Sequence, residues 1–142
     1  MKRFLMMSAA MLIAMQGMAQ SAAEKIFEKY GKEKDEAYQQ ADIFVFPTYN
    51  ECFPLVLLEA MQHGLPCIST NEGAISDIVD DGVTGYIVEA RNADCLAAKI
   101  EDLANDKQKR MNMGMYGRRK CQEQFTLDVF EKRMSEVLEQ LM

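Results

Sequence analysis

The chain turns on one stretch: Ala41-Asp42-Ile43-Phe44-Val45-Phe46-Pro47, then Thr48-Tyr49-Asn50-Glu51-Cys52-Phe53, then Pro54-Leu55-Val56-Leu57-Leu58-Glu59-Ala60-Met61-Gln62-His63-Gly64, then Leu65-Pro66-Cys67-Ile68-Ser69-Thr70. Four consecutive apolar residues, 43–46, stop at Pro47 and suit a short strand buried on both faces. A polar loop follows. Pro54 then fits the first position of a helix, where its missing N–H costs nothing, and Gly64 is a natural stop for that helix. Pro66 leads into a second apolar run, Cys67-Ile68. Strand, helix and strand with short joints make a βαβ unit, and such a crossover imposes a parallel sheet. The expected fold class is therefore α/β, a partial Rossmann-like domain with a short parallel sheet and C-terminal helices.

In a βαβ unit, residues 48–53 lie beyond the carboxyl end of a strand, where open α/β sheets collect their ligands. Glu51 belongs to that loop. Glu59 comes five residues after Pro54, about one and a half turns into the helix. The helix N-terminus adds unpaired N–H groups and a partial positive charge, a seat for phosphate. Two carboxylates that can hold sugar hydroxyls beside a helix end that can hold a diphosphate suit a nucleotide-sugar. Spacing alone does not carry this, because glutamates eight apart also occur at Glu28/Glu36, Glu123/Glu131 and Glu131/Glu139. Context singles out Glu51 and Glu59: a strand before, a helix between, and a Gly-x-Pro strand entry after.

Residues 30–142 resemble the C-terminal, donor-binding part of group 1 (family 4) glycosyl transferases, retaining enzymes of GT-B architecture built from two Rossmann-like domains. The resemblance rests on the Glu-x7-Glu pair Glu51/Glu59 within Glu-Cys-Phe-Pro-Leu-Val-Leu-Leu-Glu-Ala-Met. It continues through Gly64-Leu65-Pro66-Cys67-Ile68-Ser69-Thr70, Glu72-Gly73-Ala74-Ile75 and Asp81-Gly82-Val83-Thr84-Gly85-Tyr86-Ile87-Val88. It implies a catalytic place for Glu51 beside the donor sugar hydroxyls, and the ribose hydroxyls for Glu59. The amides around Phe53, Pro54, Leu55 and Val56 would face the diphosphate. Glu72 and the amides of Gly73, Ala74 and Ile75 would touch donor sugar or diphosphate, the simpler reading of this turn being a loop with a solvent-facing Glu72. The resemblance implies no cofactor: the nucleotide-sugar is a substrate, and no metal is expected. Two positions depart from the family pattern. Pro54 stands where glycine is usual and removes one phosphate-facing N–H, and Ala74 puts a Cβ where the family turn commonly has glycine.

Length and composition bound what such a chain can do. At 142 residues it accommodates one domain, whereas the family resembled needs two. The expectation is either a truncated part of one enzyme or a chain that acts with a separate one supplying the N-terminal domain. A net charge of −6 argues against nucleic acid as a partner. Residues 1–19 read as a secretory signal: Lys2-Arg3, an apolar stretch over 4–15 too short to span a bilayer, and small residues at Gly17 and Ala19. The alternative is a Met-rich amphipathic helix. Residues 1–19 thus argue for secretion, while the resemblance implies the cytoplasm, where nucleotide-sugars are used. One account of both is a junction of two unrelated coding segments near residues 24–34.

The remaining segments are mostly helical. Residues 20–40, rich in Glu, Lys, Ala and Gln, read as one or two helices broken near Gly31 and leading into the domain at 41–142. A short helix is expected over residues 76–79 and a third strand over 86–88. Ala93–Asn105 shows Leu96, Ala97, Ile100, Leu103 and Ala104 at helical spacing, Lys107–Gln124 follows, and Thr126 should cap a last helix. The resemblance has that helix cross to the other domain, leaving Phe130, Met134, Val137, Leu138 and Leu141 uncovered here. Residues 107–120 hold six basic side chains and no acidic one, which suits a solvated face or a peripheral contact with an anionic membrane. Met111, Met113 and Met115 read as flexible core filler. Cys52, Cys67, Cys95 and Cys121 form no Cys-x-x-Cys pair, and one histidine, His63, completes no zinc set. Cys67 reads as a buried hydrophobe.

Overall fold

The computed structural model describes residue 28 and residues 30–141; the signal-like segment 1–19 lies outside them. The described residues divide between Ala37 and Tyr38 into two units. Residues 30–40 are helical (α1) and run through Gly31 without the expected break. Nothing lies within 4 Å of where a Gly31 Cβ would stand, so the helix bears only the roughly 1 kcal/mol propensity cost of a glycine. In the first unit Lys32 Nζ pairs with Glu28 Oε1 at 2.8 Å, one helical turn apart.

The second unit contains β1 (Phe44–Phe46), α2 (Leu55–Gln62), β2 (Cys67–Thr70), α3 (Ile75–Ile78), β3 (Gly85–Val88), α4 (Ala93–Asn105), α5 (Lys107–Gln124) and α6 (Leu127–Leu141). The three strands form one sheet in the order β1-β2-β3, every pair parallel. Phe44 pairs with Cys67, and Cys67 in turn with Gly85. The α/β class and the βαβ unit of the sequence reading are both present.

β2 is central and wholly buried. Its side chains alternate between two cores, as a strand covered on both faces requires. Cys67 enters one with Leu57, Ala60, Met61, Ile75 and Ile78, while Ile68 enters the other with Tyr86, Val88, Leu103 and Met113. β1 departs from expectation: all three residues are only half-buried. It sits at the sheet edge, paired on one side by β2, so an apolar run there marks a partly covered strand.

The site helix α2 is fixed at both ends. Pro54 is its N-cap rather than its first helical residue, with φ −77° and ψ 100°, and its carbonyl accepts from Leu57 N–H at 3.1 Å. At the other end Gly64 takes φ +75°. The Gly64 N–H donates to Met61 O at 2.9 Å and the Leu65 N–H to Ala60 O at 3.1 Å, the paired bonds of a Schellman ending. α5 crosses this ending so closely that a Cβ on Gly114 would fall 1.8 Å from the Gly64 carbonyl oxygen.

The later helices follow their sequence signals. Asn92 Oδ1 caps α4 through the Cys95 N–H, and Asp106 Oδ1 caps α5 through the Lys109 N–H, both at 2.9 Å. Thr126 Oγ1 accepts from the Val129 N–H at 3.4 Å. On α4, Leu103 is buried and Leu96 and Ile100 pack against the core, but Ala97 and Ala104 are exposed. Only the middle methionine of α5 is core: Met113 is buried, while Met111 and Met115 are exposed. Residues two apart on a helix point about 200° apart, so three in alternation cannot share a face.

Candidate functional site

The loop after β1 is built onto the end of β2. Thr70 Oγ1 donates to Thr48 O at 2.6 Å and accepts from the Thr48 N–H at 3.3 Å. Ser69 Oγ donates to Phe46 O at 2.7 Å. These bonds bury two hydroxyls without loss and set the height at which Glu51 leaves the sheet. Glu51 is half-buried, and its Oε1 accepts from the Cys52 N–H at 2.9 Å.

The turn after β2 closes against that loop. The Ala74 N–H donates to Cys52 O at 2.8 Å. Gly73 takes φ +53°, and a Cβ there would stand 2.3 Å from Glu51 O and 2.5 Å from Cys52 O. Glycine is needed at Gly73 on both counts. Ala74 has φ −90° and ψ 18°, a conformation any residue adopts, so its Cβ adds no strain. The segments holding Glu51 and Gly73 are thus brought together, 22 positions apart in sequence. Two of the three amides expected to face a ligand are already committed: Ala74 to Cys52, and Ile75, which is buried, to Glu72 O at 3.1 Å.

Beside this rim stands the N-terminus of α2. Pro54 is buried, Leu55 is largely exposed, and Val56 is half-buried. The first N–H groups of any helix lack intrahelical acceptors, and Pro54 contributes none. Phe53 is partly exposed and tilts against Phe125, with ring centroids 6.2 Å apart.

Glu59 is half-buried further along α2. Its Oε2 accepts from the Tyr38 phenol at 3.1 Å. The Tyr38 ring stacks on His63, the α2 C-cap, with centroids 5.1 Å apart. Burial, reinforced by the Glu59 hydrogen bond and charge, pushes the Tyr38 hydroxyl up to about 12. Sequence reasoning gave Tyr38 no role at the site. With 21 positions between Tyr38 and Glu59, no local spacing could have found the pair.

A cleft of about 220 Å³ opens on the same side of the sheet, lined by Tyr49, Thr70, Glu89, Arg91, Asn92 and Leu96 among others. None of the residues expected at the site lines it. Arg91, at φ +64°, lies over the Tyr49 ring at 5.6 Å. Four of the six basic residues of α5 are engaged internally. Lys109 pairs with Asp102, Arg119 with Glu123 and Lys120 with Asp80, and Arg110 donates to the Leu103 and Ala104 carbonyls at the end of α4. Among the described residues no three His, Cys, Asp or Glu side chains gather as a metal set, and no helix is long and apolar enough to cross a membrane.

The family model for glycosyl transferases group 1 matches residues 19–120, well over half of the sequence. The chain belongs to the group 1 glycosyl transferases. It is similar to the C-terminal part of these enzymes, of GT-B architecture. Among relatives of this family, the capsular polysaccharide biosynthesis glycosyltransferase CapM of Staphylococcus aureus is 38 % identical over 92 residues, covering 65 % of this chain and 24 % of CapM. The chain thus spans about a quarter of that relative's length. Sucrose-phosphate synthase from Thermosynechococcus elongatus superposes with a TM-score of 0.69 at 31 % identity, over 74 % of this chain and 26 % of that one. Anabaena HepE, in a crystal structure with UDP and glucose, gives a TM-score of 0.68 at 22 % identity, over 73 % and 29 % respectively. At that identity the HepE likeness speaks for the fold alone.

Proposed function

We propose that this group 1 glycosyl transferase chain is the donor-binding half of a retaining enzyme that takes a nucleotide-sugar, with a second chain supplying the other domain. One observation carries the reading: the Glu51 loop and the Gly73 turn are clasped together beside the N-terminus of α2, the helix that bears Glu59. In the transfer, the bond between the anomeric carbon and the diphosphate breaks, and the nucleoside diphosphate leaves with the electron pair. An acceptor hydroxyl oxygen takes its place with configuration kept, its proton passing to the departing diphosphate. The helix N-terminus stabilises the charge that grows on the diphosphate through the amides of Phe53, Leu55 and Val56. Glu59 holds the ribose hydroxyls, Glu51 those of the donor sugar, and Glu72 and Gly73 border the sugar from the opposing turn. Ala74 and Ile75 act through their backbone, holding the turn in shape. No metal enters this scheme. The reading also places the working chain in the cytoplasm with its substrate, and N-terminal sequencing of the expressed protein shows whether residues 1–19 are removed.

Calorimetric titration of the full chain with UDP-, GDP- and ADP-sugars tests the proposal. One of the three should bind. Glu59→Gln should weaken it about ten- to a hundredfold, the range for losing a charge-assisted hydrogen bond. A folded sample that binds none of them favours the second reading, a non-catalytic exported or interaction module that keeps only the fold. That reading draws on α6, whose Phe130, Met134, Val137, Leu138 and Leu141 are each 44–78 % exposed. Such a face suits a protein partner as well as it suits another domain of the enzyme.

A further inference from the structure

We propose that Tyr38 is a positioning residue for Glu59, its phenol holding the carboxylate in the one orientation that meets the ribose diol of the donor. The inference rests on the donor reading above and adds to it a residue from outside the Glu-x7-Glu segment. Glutamate reaches its carboxylate through three rotatable bonds, so the backbone of α2 alone gives Glu59 no fixed aim. The Tyr38 ring does have one. It is buried, stacked on His63 with the ring planes 14° apart, and tilted against Phe44 with centroids 5.6 Å apart. A ring packed against two others holds its phenol oxygen in place, and from there the O–H donates to Glu59 Oε2. A carboxylate is planar, so pinning Oε2 restricts where Oε1 lies. Tyr38 therefore relieves the ligand of part of the entropy of ordering Glu59, which is how preorganised groups gain affinity. His63, the C-cap of α2, follows Glu59 by one turn, so the ring that aims the carboxylate is itself seated against the end of the same helix.

Removing the hydroxyl alone tests this. The full 142-residue chain and its Tyr38→Phe variant would be titrated with UDP and with 2′,3′-dideoxy-UDP, which lacks both ribose hydroxyls. The unmodified chain should prefer UDP by about tenfold or more. Tyr38→Phe should lose about fivefold in UDP affinity, the scale of one net hydrogen bond, with dideoxy-UDP binding unchanged, so that the preference collapses. A merely structural tyrosine would weaken both ligands alike and keep their ratio; an unchanged ratio overturns the proposal. An unmodified chain that binds both ligands equally overturns the ribose assignment of Glu59 first, and that result is told apart because it needs no variant. A chain that binds neither is taken to GDP and ADP with their dideoxy counterparts, and failure with all three overturns the donor reading itself. Should Tyr38→Phe fail to fold by circular dichroism, the test passes to the unmodified chain. There the 13Cζ resonance of Tyr38 should move on saturation with UDP and much less with dideoxy-UDP. An equal response to the two ligands would overturn the proposal.

Discussion

A single hydrogen atom decides the shape of the site rim. Gly73 combines a left-handed backbone with no room for a methyl group, since its Cβ would press on the carbonyl oxygens of Glu51 and Cys52. Gly73→Ala should therefore cost about 2–4 kcal/mol, the sum of left-handed strain and a steric clash, and should weaken donor binding further by pushing the Glu51 loop outward. A thermal melt and a titration on the same sample check both parts, and a variant as stable as the parent would contradict the geometry. Ala74→Gly should do almost nothing, because Ala74 is already in an ordinary conformation. Here the sequence reading placed the special residue one position late: it looked for freedom where the family has its second glycine, but the left-handed residue is the first. Glu51 and Glu59 were legible because a strand, a proline and a helix surround them. Tyr38 was not, because nothing in a linear spacing shows that a ring on one helix will reach a carboxylate on another.

Elements are stated more openly by the chain than contacts are. The bounds of Ala93–Asn105 and Lys107–Gln124 agree with the sequence reading, although the Asn92 and Asp106 caps that open them were not singled out there. What could not be read was how the helices meet. Gly114 looks like a weak point in α5, worth about 1 kcal/mol of lost propensity, yet it is where α5 touches the end of α2. Gly114→Ala should thus destabilise the chain by about 1–3 kcal/mol, although alanine is the better helix former. Gly31→Ala, in open space on α1, should instead stabilise by up to about 1 kcal/mol. Chemical denaturation of the two variants gives opposite signs on this account; equal signs would mean that the α2–α5 contact is not as close as described. The alternating methionines of α5 misled for a related reason, since composition suggests core but helical geometry admits only Met113.

At the scale of the molecule, burial shows itself through protons. Desolvation pushes the Cys67 thiol from 9.0 up to about 12, and burial with Glu59 beside it pushes the Tyr38 hydroxyl from 10.0 up to about 12. Both groups hold their protons more tightly folded than unfolded. Their stabilisation is complete below the unfolded values and declines as pH rises toward the folded ones. The melting temperature should accordingly fall from about pH 9 to pH 12, and Tyr38→Phe should flatten the part above pH 10. A melting temperature indifferent to pH across that range would show that neither group is as enclosed as it stands here. The sheet explains why the whole was less legible than its parts. An apolar run says that a strand is covered, not on how many sides, and the half-buried β1 at the sheet edge reads no differently from the enclosed β2. The uncovered face of α6 was legible through the family resemblance alone; what covers it is a property of another surface.

The backbone contact between Gly64 and Gly114 has a bearing on angles as well as distances. It fixes the rotational phase of α2, because the ending at Gly64 is clamped and every residue upstream is counted back from it at about 100° per step. Adding or deleting one residue between Glu59 and Gly64 would swing the glutamate a quarter-turn or more away from the phenol it faces. The clamp therefore acts as a ruler, and the five-residue interval it measures is as much a part of the site as the side chains themselves.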